Sequence, residues 1–207
     1  MPPIARAATV RYRALVSIPE EVRETVLRRV QLLTPDARRV VLRASVIGPR
    51  FELGVLAEML NTDAHTIRAA LSDACRLQIT VPEGVSDRWS FRHALTRDIV
   101  YAELAGARVR PFHRRIVRIL ERLTASGEPP LHDLAYHAWA AGDSRRGVRY
   151  NELAGDRAVA MHALDDARRL YGRARSLSTI GSPRFGRLSA KLRRLDDGVG
   201  GTSPPDE

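Results

Sequence analysis

Apolar positions in the first third of the chain recur every three to four residues, the spacing of helices that bury one face. Val22, Val26, Val30 and Leu33 share such a face, with Arg23, Glu24 and Arg28 elsewhere. Ser17-Ile18-Pro19-Glu20 ahead of them has the form of a capping box with proline in the first turn. Thr34-Pro35 opens a second helix carrying Val40, Val41, Ala44 and Ile47, and Gly48-Pro49 stops it. Residues 51–60 read as a short third helix with Leu53, Leu56 and Leu60 inward. Asn61-Thr62-Asp63 then supplies a turn and a cap for a fourth, with Ile67, Leu71, Ala74 and Leu77 on one face.

The period then changes. Residues 78–81 are short and β-branched, Pro82-Glu83-Gly84 turns, and residues 88–92 return as a strand. Trp89, Phe91 and His93 alternate with Arg88, Ser90 and Arg92, so a strand would place the first three on one face. From Leu95 the spacing is helical again through Ile99, Tyr101, Ala102 and Leu104. His93 therefore stands where a strand gives way to a helix, behind two aromatics. Helices followed by a β-hairpin form the winged-helix arrangement, a helix-turn-helix variant with the strand pair as its wing.

Beyond the hairpin every periodic stretch is helical. Residues 108–125 put Ile116, Ile119, Leu120 and Leu123 inward, and Pro129-Pro130 breaks the run. Residues 131–141 follow, then Gly142-Asp143-Ser144 as turn and cap. Residues 145–161 and 165–176 form a pair with Leu153, Ala154, Ala158, Ala167, Leu170, Tyr171 and Ala174 at packing positions. Ala154, Gly155, Ala158, Ala160 and Ala163 are small enough for close helix approach, as in helical-hairpin repeats of the TPR type. About three such repeats are the usual minimum for a stable array, so the chain is expected to stop where an array normally begins. The expected fold class is mainly α: a flexible leader at 1–16, a winged-helix domain at 17–105, a TPR-like stub at 106–180 and a largely disordered tail at 181–207.

Charge alters this picture less than its total implies. The 207 residues carry a net charge of +10, which invites a nucleic-acid reading. Lys191 is the only lysine among 34 basic residues. Residues 34–86, the part resembling a DNA-reading fold, hold six arginines against six acids, whereas 88–122 hold nine arginines against Asp98, Glu103 and Glu121. If the fourth helix read DNA, Arg68 and Arg76 would be the candidate base contacts. Asp63 and Asp73 would then face phosphates, so DNA is not the expected partner of this segment. The run Arg108, Arg110, Arg114, Arg115, Arg118 reads as a solvated or partner-facing helix side.

Candidate chemistry is sparse. Six histidines are scattered, and His132 and His137, five apart, miss the helical spacing of a zinc pair. Asp165-Asp166 reads as the acidic first turn of a helix. The lone Cys75 excludes an internal disulfide and fits a reducing cytoplasm. No run of about 18 apolar residues indicates a membrane span, and residues 1–19 lack the apolar core of a signal peptide. No phosphate-loop pattern G-x-x-x-x-G-K-[ST] occurs. An enzyme is not expected, nor a metal, nor a cofactor bound by this chain alone.

Three phrases carry a family resemblance: SIPEEVRETVLRRVQLLTPDARRVVLRASVIGPRFEL at 17–53, RWSFRHALTRDIVYAEL at 88–104, and HAWAAGDSRRGVRYNELAGDRAVAMHALDDARRLYGRA at 137–174. In that order they resemble the winged-helix domain and first helical repeats of STAND-type signal-transduction ATPases. The similarity is to large ATP-binding LuxR-type (MalT-like) transcriptional regulators and related cyclase-linked proteins, over roughly residues 17–178. The resemblance implies a non-catalytic regulatory module with ATP or ADP held by a separate nucleotide-binding domain, in cis or in trans, and with protein partners. It implies that His93, in Phe91-Arg92-His93, is a sensor of the nucleotide phosphate, with Arg92 beside it. Ala94 stands where one form of the family phrase has aspartate. Without a phosphate loop, the expectation is a fragment, a degenerate paralogue, or a module docking on an ATPase supplied separately. The rival reading is a helical interaction adaptor with no nucleotide role.

Overall fold

The computed structural model describes residues 18–84, 87–104, 106–123 and 130–197. Ser17, the expected leader and residues 198–207 of the expected tail lie outside them. Among the described residues there are ten α-helices and three short strands, so the protein is mainly α. The chain divides after Arg122 into two compact units.

In the first unit, α1 (Glu20–Gln31) follows Pro19, which supplies no side-chain cap. In α2 (Pro35–Ile47), Thr34 Oγ1 accepts the Ala37 N–H at 3.3 Å and proline occupies the first turn. Strand β1 (Arg50–Glu52) comes next, then α3 (Leu53–Leu60), α4 (Ala64–Arg76), β2 (Thr80–Pro82), β3 (Arg88–Phe91), α5 (Ala94–Ala102) and, after a 3₁₀ turn at Gly106–Val109, α6 (Arg110–Leu123). The sheet is antiparallel in the order β1-β3-β2, with Phe51 opposite Trp89 and Val81 opposite Ser90.

Two expectations are corrected here. Residues 51–60 are not one helix: Gly48-Pro49 delivers extended chain, and Phe51 enters the sheet before the helix begins at Leu53. The boundary between units also falls after residue 122, not 105. Ile116 and Ile119 of α6 bury themselves with Val46, Val55 and Met59, which ties that helix to the first unit. The larger core gathers α1 to α5 around Val41, Leu56, Ile67, Leu71, Ile79 and Val100, all fully enclosed. Cys75 is half-buried against it. Val22, expected on the buried face of α1, is instead exposed.

The second unit stacks α7 (Leu131–Ala140), α8 (Ser144–Ala160), α9 (Leu164–Ser176) and α10 (Pro183–Asp197) as successive neighbours. Asp143 Oδ1 caps α8 by accepting the Arg146 N–H at 2.9 Å. The expected disorder from Gly181 is corrected by α10, whose Leu188 and Leu195 are buried. Its charged side is fastened as well. Arg187 reaches Glu152 through two bonds of 2.9 and 3.0 Å, and Lys191 reaches Glu152 at 3.1 Å and Asp156 at 2.6 Å. Arg168 of α9 donates to the Leu195 carbonyl at 2.8 Å. Leu153, expected to pack, is exposed.

Buried Asn151 donates to the carbonyls of Ala135 and Gly147 at 2.7 and 2.8 Å, stitching α7 to α8. Close approach of α8 and α9 requires Gly155, where an added Cβ would lie 2.5 Å from the Tyr171 ring. That ring cannot swing aside freely, because its hydroxyl donates to Asp156 at 2.6 Å. No helix among the described residues is long and apolar enough to cross a membrane.

Gly155→Ala should lower stability by about 1–3 kcal/mol through this overlap, while Gly172→Ala, which meets nothing within 4 Å, should not; urea midpoints of both variants check it. A second expectation concerns acid. The Arg187 hydrogen bonds, with those of Lys191, hold the Glu152 carboxyl below its ordinary pKa against the opposing effect of burial. A depressed carboxylate stabilises the fold above its unfolded pKa, and that contribution disappears as pH falls through the folded value. Glu152→Gln should therefore lower the thermal midpoint at neutral pH, with the gap to the parent closing below about pH 4.

Candidate functional site

The strand-to-helix junction expected to matter is built by the sheet. β3 is the central strand and is hydrogen-bonded on both edges. The Phe91 N–H donates to the Pro49 carbonyl at 2.8 Å, and the Arg92 N–H to the Ile79 carbonyl at 2.9 Å. Trp89 and Phe91 are buried, the latter edge-on to Phe51 with ring centroids 5.9 Å apart. These contacts fix the point at which the chain leaves the sheet.

His93 occupies the N-cap position of α5 with φ −137° and ψ 142°, an extended conformation. Its carbonyl accepts the Arg97 N–H at 3.3 Å, but its side chain makes no capping bond. The ring is exposed, and so is Arg92. This corrects the placement of His93 behind the two aromatics: the ladder ends at Phe91, so the alternation that buries Trp89 and Phe91 no longer governs His93. The exposed Arg92 guanidinium and His93 imidazole thus follow one another along the chain, on backbone held by the sheet. Such a pair can donate to a phosphate or carboxylate oxygen.

One contact that holds this junction escaped the sequence reading. Arg97 is 3% exposed. Its Nε donates to the Ser45 carbonyl at 2.7 Å, its Nη1 pairs with Asp98 at 2.9 Å, and its guanidinium lies 4.6 Å from the Tyr101 ring centroid. Ser45 lies in the last turn of α2, whose carbonyls have no partners within the helix. A guanidinium there satisfies an orphan acceptor and complements the helix dipole. Nearby, buried His113 of α6 lies 3.0 Å from the Tyr101 hydroxyl.

The candidate DNA contacts are engaged elsewhere. Arg68 pairs with Asp87, and Arg76 with Asp73 at 2.5 Å. Asp63 caps α4, accepting from the Thr66 N–H at 2.8 Å and hydroxyl at 2.7 Å; those bonds hold its pKa below the ordinary value. The N-terminal end of α4 therefore presents a carboxylate where DNA would bring phosphates. Arg114 and Arg118 of α6 are exposed, whereas Arg115 donates to the Glu58 carbonyl at 3.0 Å.

Other candidates fall into structural roles. Asp165 and Asp166 sit in the first turn of α9 and pair with Arg168 and Arg169 at 2.9 and 2.6 Å. His132 is exposed while His137 is buried. Among the described residues no group of three or more His, Cys, Asp or Glu side chains is placed to hold a metal ion. Compared with family models, curated proteins and solved structures, the chain finds no match in any of the three.

Arg97→Met should cost about 2 kcal/mol, the size of a lost hydrogen bond to a charged donor, and should alter the amide resonances of residues 93–95. Arg97→Lys keeps the charge without the planar fork and should recover only part of that loss. A parent-like urea midpoint in Arg97→Met would show that the Ser45 contact does not hold α5.

Proposed function

We propose that this chain is a non-catalytic regulatory module of a STAND-type ATPase transcriptional regulator. In this reading a winged-helix domain carries nucleotide state to its neighbours and TPR-like helical hairpins contact protein partners. The fold order supports the first part: four helices and a strand interleave ahead of β2 and β3, and the sheet closes in the order β1-β3-β2. The succession of α7 to α10, each packed on the next, with small residues where α8 meets its neighbours, supports the second. The observation that carries the proposal is the exposed His93, whose ring makes no capping bond, next in sequence to exposed Arg92 at the end of a strand fixed on both edges.

The chain's own residues would contribute one action. His93, donating from a ring nitrogen, and Arg92, from its guanidinium, would meet a terminal phosphate held by a separate nucleotide-binding domain. Docking and release of that domain is the two-state element, and the phosphate biases it only through a difference in affinity between the states. The module does no chemistry. Its cofactor, ATP or ADP, belongs to the partner domain, and its setting is the cytoplasm.

Exposed Leu153, Met161 and Ile180 in the second unit favour the rival reading, an adaptor without a nucleotide role. The two readings differ at His93. Titration of the isotope-labelled chain with ADP, at about 1 mM because a lone phosphate contact yields only about 4 kcal/mol, should shift the His93 and Arg92 signals. His93→Ala should abolish the response at Arg92. No shift in the parent, or an undiminished one in the variant, would leave the adaptor.

A further inference from the structure

The turn joining α1 to α2 opens onto a cavity of about 380 Å³. Its apolar lining is Leu33, Pro35 and Leu42, and Leu32 beside it is 70% exposed. Arg38, Arg39 and Arg43 of α2 line it as well, with Gln31. The arrangement is electrostatically unfavourable as it stands. Arg39 and Arg43 are like charges four residues apart, a spacing that repels on a helix. Arg38 and Arg39 also lie close to the positive end of the helix dipole.

Little in the unit relieves this. Exposed Asp36 pairs with Arg39 at 3.3 Å. Neither Arg38 nor Arg43 pairs with a carboxylate among the described residues. Arg43 is half-buried, with its guanidinium carbon 3.9 Å from the centroid of the Phe112 ring. Burial, and then the charge of Arg39, hold its pKa below the ordinary value. Several guanidiniums elsewhere in the described chain do have carboxylate partners: Arg68 with Asp87, Arg97 with Asp98, Arg187 with Glu152.

From apolar side chains set among arginines that outnumber the one carboxylate paired with them, we infer that this trough docks an acidic segment of a protein partner, one that presents leucine-like side chains between its carboxylates. The lining distinguishes this occupant from a phosphate ligand. Phosphate at a helix N-terminus is recognised by free backbone N–H groups, and here the Thr34 hydroxyl already occupies the Ala37 N–H. Guanidinium forks meeting carboxylates, around apolar anchors, match what the trough offers. The proposal is independent of the role given to His93.

The test is fluorescence polarisation of the whole chain with a labelled helical probe peptide carrying Leu at i, i+3 and i+7 and Glu between them. Two control peptides accompany it, one with Leu replaced by Ser and one with Glu replaced by Gln. The double variant Arg38→Glu/Arg39→Glu should weaken the parent probe at least about tenfold, as expected for central charges of an interface. Arg114→Glu/Arg118→Glu, equally charge-reversed but on α6, should change it by less than about twofold, a rim-like effect. Both control peptides should bind more weakly than the probe. Equal losses in the two double variants, or equal binding of the Ser-for-Leu peptide, would reduce the effect to general basicity and overturn the inference. Displacement of the probe by inorganic phosphate or duplex DNA at matched ionic strength would assign the arginines to phosphate and overturn it as well. Circular dichroism of each variant shows that the fold is retained.

Discussion

The arrangement of the first unit depends on the central position of β3. A strand paired on both edges can neither slide nor twist without breaking two ladders. That constraint sets where the chain leaves the sheet and hence where α5 begins. The helix is then pinned along its length by Arg97, which reaches a carbonyl 52 residues earlier in the chain. A strand, a capless helix start and a buried guanidinium together hold an otherwise free imidazole in one place.

Stability is obtained differently in the second unit. Its interior relies on small residues, with Ala135, Ala138, Ala154, Ala158, Ala167 and Ala174 all buried. Small side chains allow backbones to approach, and what is lost in side-chain area is recovered in close contact. Such packing tolerates little insertion, as Gly155 beneath the Tyr171 ring shows. The outer helix α10 adds leucines on one side and a network of Arg187 and Lys191 with Glu152 and Asp156 on the other. Exposed pairs of this kind contribute modestly one by one. Here they share carboxylates between two cations and orient the helix.

The net charge of +10 is consequently a poor guide to what the protein touches. Many arginines are consumed internally, by carboxylates, by orphan carbonyls or by aromatic faces. The electrostatically informative places are those where this pairing fails. One is the α2 face around Arg38 and Arg43, another the end of the sheet at Arg92 and His93. Each combines fixed backbone with a cation that the fold leaves uncompensated.

Sequence periodicity alone determined the helices α1, α2 and α4 to α9 and the β2–β3 hairpin, because side-chain spacing and caps are local properties of the chain. Thr34, Asp63 and Asp143 cap the helices that their positions predict. The small residues of α8 likewise announced close packing. Four features required the tertiary structure. β1 is three residues long and becomes a strand only because β3 offers it partners. Helix α10 had its signal in the spacing of Leu188, Leu192 and Leu195, but flanking glycine, proline and aspartate obscured it until α9 supplied a surface to cover. The burial of Arg97 and the exposure of His93 were not legible at all. A charge is buried only where a distant carbonyl receives it, and a ring is exposed only where the ladder beside it ends; both are decided by contacts between segments far apart in the chain.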